Sequence, residues 1–366
     1  MAKWKGHVIG GVDDQNLTEE DLDPRKWGED HINKSIKQID SETWLIGGHV
    51  LHRSPYPSDV ATWNDDSDKS SYTLTVAPTP LLSATTPLDS PYIKLIYESR
   101  DARAIWSIGN SVVCKAAYTT KGTTPESVTL NFVRNQQQPY SFETPEVLHH
   151  AFASDRSFLF HQRLPGRTLE VAWPSLNDFW RRRYVKLVAS ACREMAEWKG
   201  HVIGGVDGQN LPQVDLLPTL SPQGAQDFSS TNLQARCELL GMDCSDLVFS
   251  HNSLALESII VEDEPSEKIG LIDFEIAGYF PRTWIRTKCI VSPAVCRTAE
   301  VGGGYWFAIE LHRELANSGF DEAAGAYLIS RLALLVTSQL GSKLQRELAN
   351  SGWDVRIASQ IRRILL

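Results

Sequence analysis

Phe249-Ser250-His251-Asn252-Ser253-Leu254-Ala255-Leu256-Glu257-Ser258-Ile259-Ile260-Val261, followed after an acidic stretch by Ile269-Gly270-Leu271-Ile272-Asp273-Phe274-Glu275, is the part of the chain whose reading decides the fold. Leu247 to Phe249, Ile259 to Val261 and Ile269 to Ile272 are short apolar runs that read as strands. The last two are bridged by the acidic turn Glu262 to Lys268. A His-containing loop therefore precedes a strand that ends in a carboxylate. Asp273 emerges at that strand end, where a magnesium ligand belongs. A strand-terminal Asp is often a plain turn residue, but its place after a separate His loop favours the functional reading.

Upstream, from Pro91, the texture is of short β-like runs: Ile93 to Tyr97, Ala104 to Ile108 and Val112 to Ala117. The last two are separated by Gly109-Asn110, a two-residue connection suited to a tight hairpin. Thr124-Pro125-Glu126 opens a helix, with Thr as cap and Pro in the first turn, and strands return at Val147 to His150 and Phe158 to Leu164. A long helix capped by Ser175 follows, its apolar residues recurring at helical spacing from Leu176 to Trp198 before Gly200 ends it. Another runs from Ser230 to Leu240 and stops at Gly241, and Tyr305 to Asn317 and Ala323 to Leu340 also read as helical. The sum is an α+β protein of two lobes, a small β-rich one followed by a larger, mainly helical one.

Phosphoryl transfer needs a cation on the nucleotide phosphates, an acid that holds it, metal ligands, and a group that positions the attacking hydroxyl. Lys115, on a strand after a turn, has the context of a phosphate-binding lysine, although lysines on edge strands are common. Glu126 could pair with it. The spacing Thr123-Thr124-Pro125-Glu126 fits a capping box equally well.

With 366 residues, 42% hydrophobic and 22% charged, the chain has apolar material for more than one compact unit. A net charge of -9 argues against a nucleic-acid partner, which calls for a concentrated basic patch. Six scattered cysteines without CxxC pairs indicate neither a disulfide framework nor a zinc site and fit a reducing cytoplasm. The polar first residues and the short late apolar run Leu328 to Val336 give no membrane segment. Trp4 to Asp13 (WKGHVIGGVD) recurs as Trp198 to Asp207, and Arg313 to Gly319 (RELANSG) as Arg346 to Gly352, which reads as segmental duplication and not as a regular array. Residues 1–90 are expected to be an N-terminal extension, with Asn64 to Ser71 and the prolines after it as linker. The lobes then follow at 91–164 and 165–366.

The run from His251 through Lys288, including Ile272-Asp273-Phe274-Glu275-Ile276-Ala277-Gly278-Tyr279 and Trp284-Ile285-Arg286-Thr287-Lys288, resembles fungal aminoglycoside-phosphotransferase and choline-kinase-like proteins. Leu164-Pro165-Gly166-Arg167-Thr168-Leu169, Ala172-Trp173-Pro174 and Gly205-Val206-Asp207-Gly208 resemble other segments of that family. The resemblance implies a bilobal protein-kinase-like fold that uses ATP and Mg2+ and takes a hydroxylated small molecule as acceptor. It assigns Lys115 to the phosphates, Glu126 to orienting that lysine, and Asp273 to the magnesium ion. Phe160 to Leu164, with Gln162 and Leu164, becomes the hinge whose backbone meets the base.

In the family's catalytic loop the pattern is His-Gly-Asp-Leu, with Asn four residues later. Here His251 is kept, Ser253 stands in the catalytic Asp position and Ser258 in the metal-binding Asn position. Serine is no general base, and its loss alone costs roughly 100-fold to 10,000-fold in rate. Glu98 to Ala104 also contains no glycine for a close approach to phosphates. Three readings follow: an active or weakly active small-molecule kinase in which Glu257 or Glu275 replaces the base, a pseudokinase that binds a nucleotide, a metabolite or a protein partner, or, from the short duplications, a gene product with no selected activity.

Overall fold

The computed structural model describes residues 31–79, 88–99, 102–136, 140–153, 155–216, 227–292 and 303–323. By its internal contacts the chain divides into two compact units, Met1–Lys121 with Pro145–Leu164, and Gly122–Thr144 with Pro165–Leu366.

In the first unit β1 (Ile36–Asp40), β2 (Thr43–Ile46), β3 (His49–Ser54), β4 (Trp63–Asp65) and β5 (Ser70–Val76) form a five-stranded sheet in the order β1-β2-β3-β5-β4. Strands β6 (Ile93–Ser99), β7 (Arg103–Ile108) and β8 (Val112–Tyr118) begin a second sheet. The chain then leaves for the second unit, forming helix α1 (Glu126–Arg134) and strand β9 (Phe142–Glu143). It returns as β10 (Val147–Phe152) and β11 (Arg156–Gln162), completing the order β10-β11-β8-β7-β6. Both sheets contribute to one core, in which Trp44, Tyr72, Trp106, Phe158 and Phe160 are fully buried. The period-two spacing of Trp106, Ile108, Val112, Cys114 and Ala116 supplies one face of it.

The acidic run Asn64 to Ser71 is therefore the β4–β5 hairpin and not a linker, and residues 36–76 fold as a sheet where an extension was expected. Its acids have partners. Asp68 pairs at 3.0 Å with Arg53, which is buried and also held by Glu42 at 3.1 Å. Asp65 accepts from the Asn110 amide at 2.6 Å, tying down the β7–β8 turn. That turn runs over residues 109–111, between paired Ile108 and Val112, one residue longer than the Gly109-Asn110 reading.

The second unit continues with β12 (Arg167–Thr168), the single turn α2 (Leu169–Ala172), α3 (Asp178–Met195), β13 (Lys199–Gly200), α4 (Ser230–Leu239) and β14 (Leu247–Ser250). It closes with β15 (Ile259–Val261), β16 (Ile269–Leu271), β17 (Gly278–Pro281), α5 (Arg282–Val291) and α6 (Gly304–Asn317). Its strands form two small sheets, β12-β15-β16-β9 and β13-β14-β17. The chain is thus a mixed α and β protein whose N-terminal part is rich in sheet. Helix α3 is capped by Asn177, whose side chain accepts from the Trp180 amide at 3.0 Å; Ser175 instead donates to the Ala172 carbonyl. The helix ends at Met195, short of Gly200, which lies in β13.

Helix α1 belongs to the second unit, although its place among the strands put it in the 91–164 lobe. Phe132 packs against Trp198, Phe249 and Tyr279 at ring separations of 5.9, 5.3 and 6.1 Å, and this aromatic cluster decides the grouping. The Thr124 hydroxyl does not cap the helix, which starts after Pro125 with no side-chain cap. It donates instead to Asp207 at 2.5 Å.

Asp207 closes the second copy of the duplicated decapeptide, and the structure accounts for that copy. Gly204 has φ +144° and exchanges backbone bonds with Tyr279, while a Cβ on Gly205 would lie 1.6 Å from Thr124 Oγ1. Gly205→Ala is expected to destabilise the protein by about 2–3 kcal/mol by forcing α1 off its seat, which urea unfolding would measure. The first copy, the second RELANSG, and the helix expected beyond Ala323 lie outside the described residues. Among the described residues, no helix is long and apolar enough to cross a membrane.

Candidate functional site

The loop that carries His251 and the loop that carries Asp273 are stitched together by backbone and buried polar side chains. His251 Nδ1 accepts from the Ser253 amide at 3.3 Å, so Nε2 carries the proton and donates to the Ile272 carbonyl at 3.0 Å. The Ile272 amide donates to the Ser258 carbonyl at 3.0 Å, and β15 and β16 continue the pairing through Ile259 and Leu271. Asn252 has φ +61°, a backbone that an amide side chain tolerates better than most. Its Nδ2 donates to the Ile276 carbonyl at 3.0 Å and so closes the far side of the Asp273 loop. The sequence offered a signal for this residue only through the glycine that the related pattern has there.

Asp273 itself has φ +69°, the same left-handed region, which Asp like Asn enters more readily than most residues. Phe274 is fully buried, its ring 4.3 Å from that of His251, and its amide donates to Glu126 Oε1 at 3.0 Å. Glu126 is thereby drawn onto the strand end. Carboxylate oxygens of Glu126, Asp273 and Glu275 all lie within 4.8 Å of one another, and each residue is half-buried. Three hard oxygen donors at this spacing suit a divalent cation such as Mg2+, which favours carboxylates and retained waters. These residues thus fit the ion that the family resemblance implies.

The other predicted residues fall as follows. Ser253 is buried in the His251 loop, its carbonyl taken by the Ala255 amide and the Ser258 hydroxyl. Ser258 Oγ donates to that carbonyl at 2.5 Å and accepts from the Ala255 amide at 3.0 Å, so its contacts are with its own loop. Lys115 lies on β8 of the first unit, in register with Leu159 and Ile105, and is buried. Gln162 ends β11, and its amide is engaged by the Glu146 carbonyl, while the Arg163 amide bonds to Ser111. Phe160 to Gln162 are sheet residues, and Leu164, which is buried, is the last residue of the first unit.

Glu257, in the single 3-10 turn between the two loops, has a carboxyl pushed up to about 8 by burial, with Glu170 and Asp273 adding their charge. Its Oε2 is buried without a hydrogen-bond partner. A carboxyl that ionises near 4.5 when unfolded and near 8 when folded binds more protons in the folded state between those values. Its contribution to stability is therefore present below about pH 4.5 and lost as the pH rises toward 8. Glu257→Gln is expected to flatten that fall and raise the melting temperature at pH 9, as thermal unfolding across a pH series would show.

Solved structures that this fold is similar to include aminoglycoside phosphotransferases, all at low identity. A streptomycin–ATP–APH(2")-IIa ternary complex is 12% identical with a TM-score of 0.44, over 74% of this chain and 90% of that one. The apo form of a thermostable mutant of APH(4)-Ia is 13% identical with a TM-score of 0.44, over 74% and 94%. APH(3'')-Id from Streptomyces rimosus is 13% identical with a TM-score of 0.38, over 61% and 85%. No protein-family model matches the sequence, and no curated protein matches it.

Proposed function

We propose that this chain is a small-molecule phosphotransferase of the aminoglycoside-phosphotransferase-like type, which binds ATP with Mg2+ and transfers phosphate weakly or not at all. The observation that carries the reading is the convergence of Glu126, Asp273 and Glu275 on one strand end beside the His251 loop. When bound, the ion would neutralise nucleotide phosphate charge. Glu126, Asp273 and Glu275 would hold it, and the Phe274 amide keeps Glu126 in place. Ser253 offers a hydroxyl where an acceptor's proton calls for a carboxylate, which favours slow chemistry on a hydroxylated acceptor.

The pseudokinase reading, a binding module for a nucleotide, metabolite or protein in the cytoplasm, has one observation of its own. Ser258 Oγ holds its own loop together and leaves the carboxylates to hold the ion. Calorimetry of ATP with and without Mg2+ tests the common core of both readings. Magnesium-dependent binding is expected, weakened about 100-fold by Asp273→Ala and weakened also by Lys115→Ala. Binding that ignores both Mg2+ and Asp273 would overturn the proposal.

A further inference from the structure

The two sheets of the first unit bring a pair of histidines together. In β3, Leu51 and Arg53 are buried and His52 is exposed, so His49, at the same period-two spacing as Leu51, lies on the covered face. In β10 the pairing with β11 steps from Val147 opposite His161 to His149 opposite Phe160, which makes Leu148 an extra residue. Such a bulge re-aims the side chains beyond it. His149 therefore shares a face with Ala151, which is buried in the core common to both sheets.

His49 and His149 meet edge to face, with ring centroids 5.1 Å apart and planes inclined by 66°. His49 Nδ1 and His149 Nε2 are both buried, and neither has a hydrogen-bond partner. A ring nitrogen taken out of water with nothing in return is a cost to the fold, which a group that accepts its lone pair would offset. Two imidazoles on one tetrahedral metal, each nitrogen about 2.1 Å from the ion, hold their ring centroids roughly 5 Å apart. The observed pair already has that separation. Burial, with the neighbouring His149, holds the His49 imidazole below its ordinary range and so keeps it neutral at pH 7, the form that ligates.

We propose that His49 and His149 form a binding site for a divalent transition metal of the imidazole-seeking class, Zn2+ or Cu2+. His49 Nδ1 and His149 Nε2 supply the lone pairs, which leaves the ring protons on His49 Nε2 and His149 Nδ1. No third histidine, cysteine or carboxylate among the described residues joins the pair, and both histidines are half-buried, so water completes the coordination from the open side. Nitrogen ligands set this site apart in chemistry from the three carboxylates of the second unit, whose hard oxygens suit Mg2+. The ion would pin β3 of one sheet to β10 of the other.

Calorimetry with Zn2+ on the full-length protein, in an excess of Mg2+ that competes for the carboxylates, tests the assignment. One Zn2+ is expected to bind per chain, with affinity falling about tenfold or more in His49→Gln and in His149→Gln. Asp273→Ala and His52→Gln should leave it unchanged. The unaltered protein gives a second reading that does not depend on how the variants fold. With one equivalent of Cu2+, ascorbate and hydrogen peroxide, radicals formed at the bound ion oxidise its own ligands, and peptide mass spectrometry should find 2-oxohistidine at His49 and His149. Oxidation centred on other histidines would overturn the proposal. So would Zn2+ binding that neither His→Gln variant weakens, or no Zn2+ binding at all.

Discussion

Ser253→Asp is expected to raise ATP-dependent phosphoryl transfer to a hydroxylated acceptor by about 100-fold or more, the usual contribution of a positioned general base. The backbone that would present the new carboxylate is already in place. The Ser253 amide is held by His251 Nδ1 at 3.3 Å, and its carbonyl accepts from the Ala255 amide at 2.9 Å and from Ser258 Oγ. These bonds do not involve the Ser253 side chain, so exchanging it leaves the loop's own supports untouched.

Adding Ser258→Asn restores the amide of the related pattern but removes a hydroxyl that bridges two backbone groups of a buried loop. The double variant should therefore gain further activity only if the Asn amide re-forms those contacts. Otherwise it loses about 1–3 kcal/mol of stability. Single-turnover phosphate transfer with radiolabelled ATP separates the outcomes. No gain from Ser253→Asp in a protein that still binds ATP and Mg2+ would refute the idea that this serine limits the chemistry.

Lys288→Ala is expected to destabilise the protein by about 3–5 kcal/mol, among the largest single effects outside the aromatic core. Lys288 Nζ lies 2.7 Å from Asp215 Oδ2 and 2.6 Å from Gln213 Oε1, with both charged side chains only 8% exposed. It also sits 5.6 Å from the centroid of the Trp284 ring. Removing the cation takes the paired charge from a carboxylate that is only 8% exposed, which is why the effect should exceed that of a surface pair. Lys288→Met/Asp215→Leu, which removes both charges, should recover most of the loss. A denaturant-unfolding cycle over the four proteins gives the coupling. A loss under about 1 kcal/mol for Lys288→Ala would mean that water reaches the pair.

The strands from Ile93 to Gln162 and the β14 to β16 set were legible because short apolar runs bounded by turn residues carry their own signal. Helix α4 ends before Gly241, as its sequence said, for the same local reason. The carboxylate at the end of the Ile269 strand and the His251 loop before it were likewise visible as a pattern of residue types at a fixed order. What was read as a linker failed because composition says nothing about partners. Asn64 to Ser71 is acidic and polar, yet Arg53 and the Asn110 amide turn those acids into the inside of a hairpin.

The sequence by itself determined the strands between Ile93 and Gln162 and between Leu247 and Leu271, the positions of His251 and Asp273, and the two serines that depart from the related pattern, since each depends on neighbouring residues along the chain. Tertiary structure alone decided that α1 packs with the second unit, that Glu126 reaches the Phe274 amide, and that Glu275 completes a set of three carboxylates. Glu126 and Phe274 lie nearly 150 positions apart in the sequence, and burial of the Phe132, Trp198 and Phe249 cluster brings them together. Such contacts arise from packing between elements, a contribution that no local residue pattern encodes.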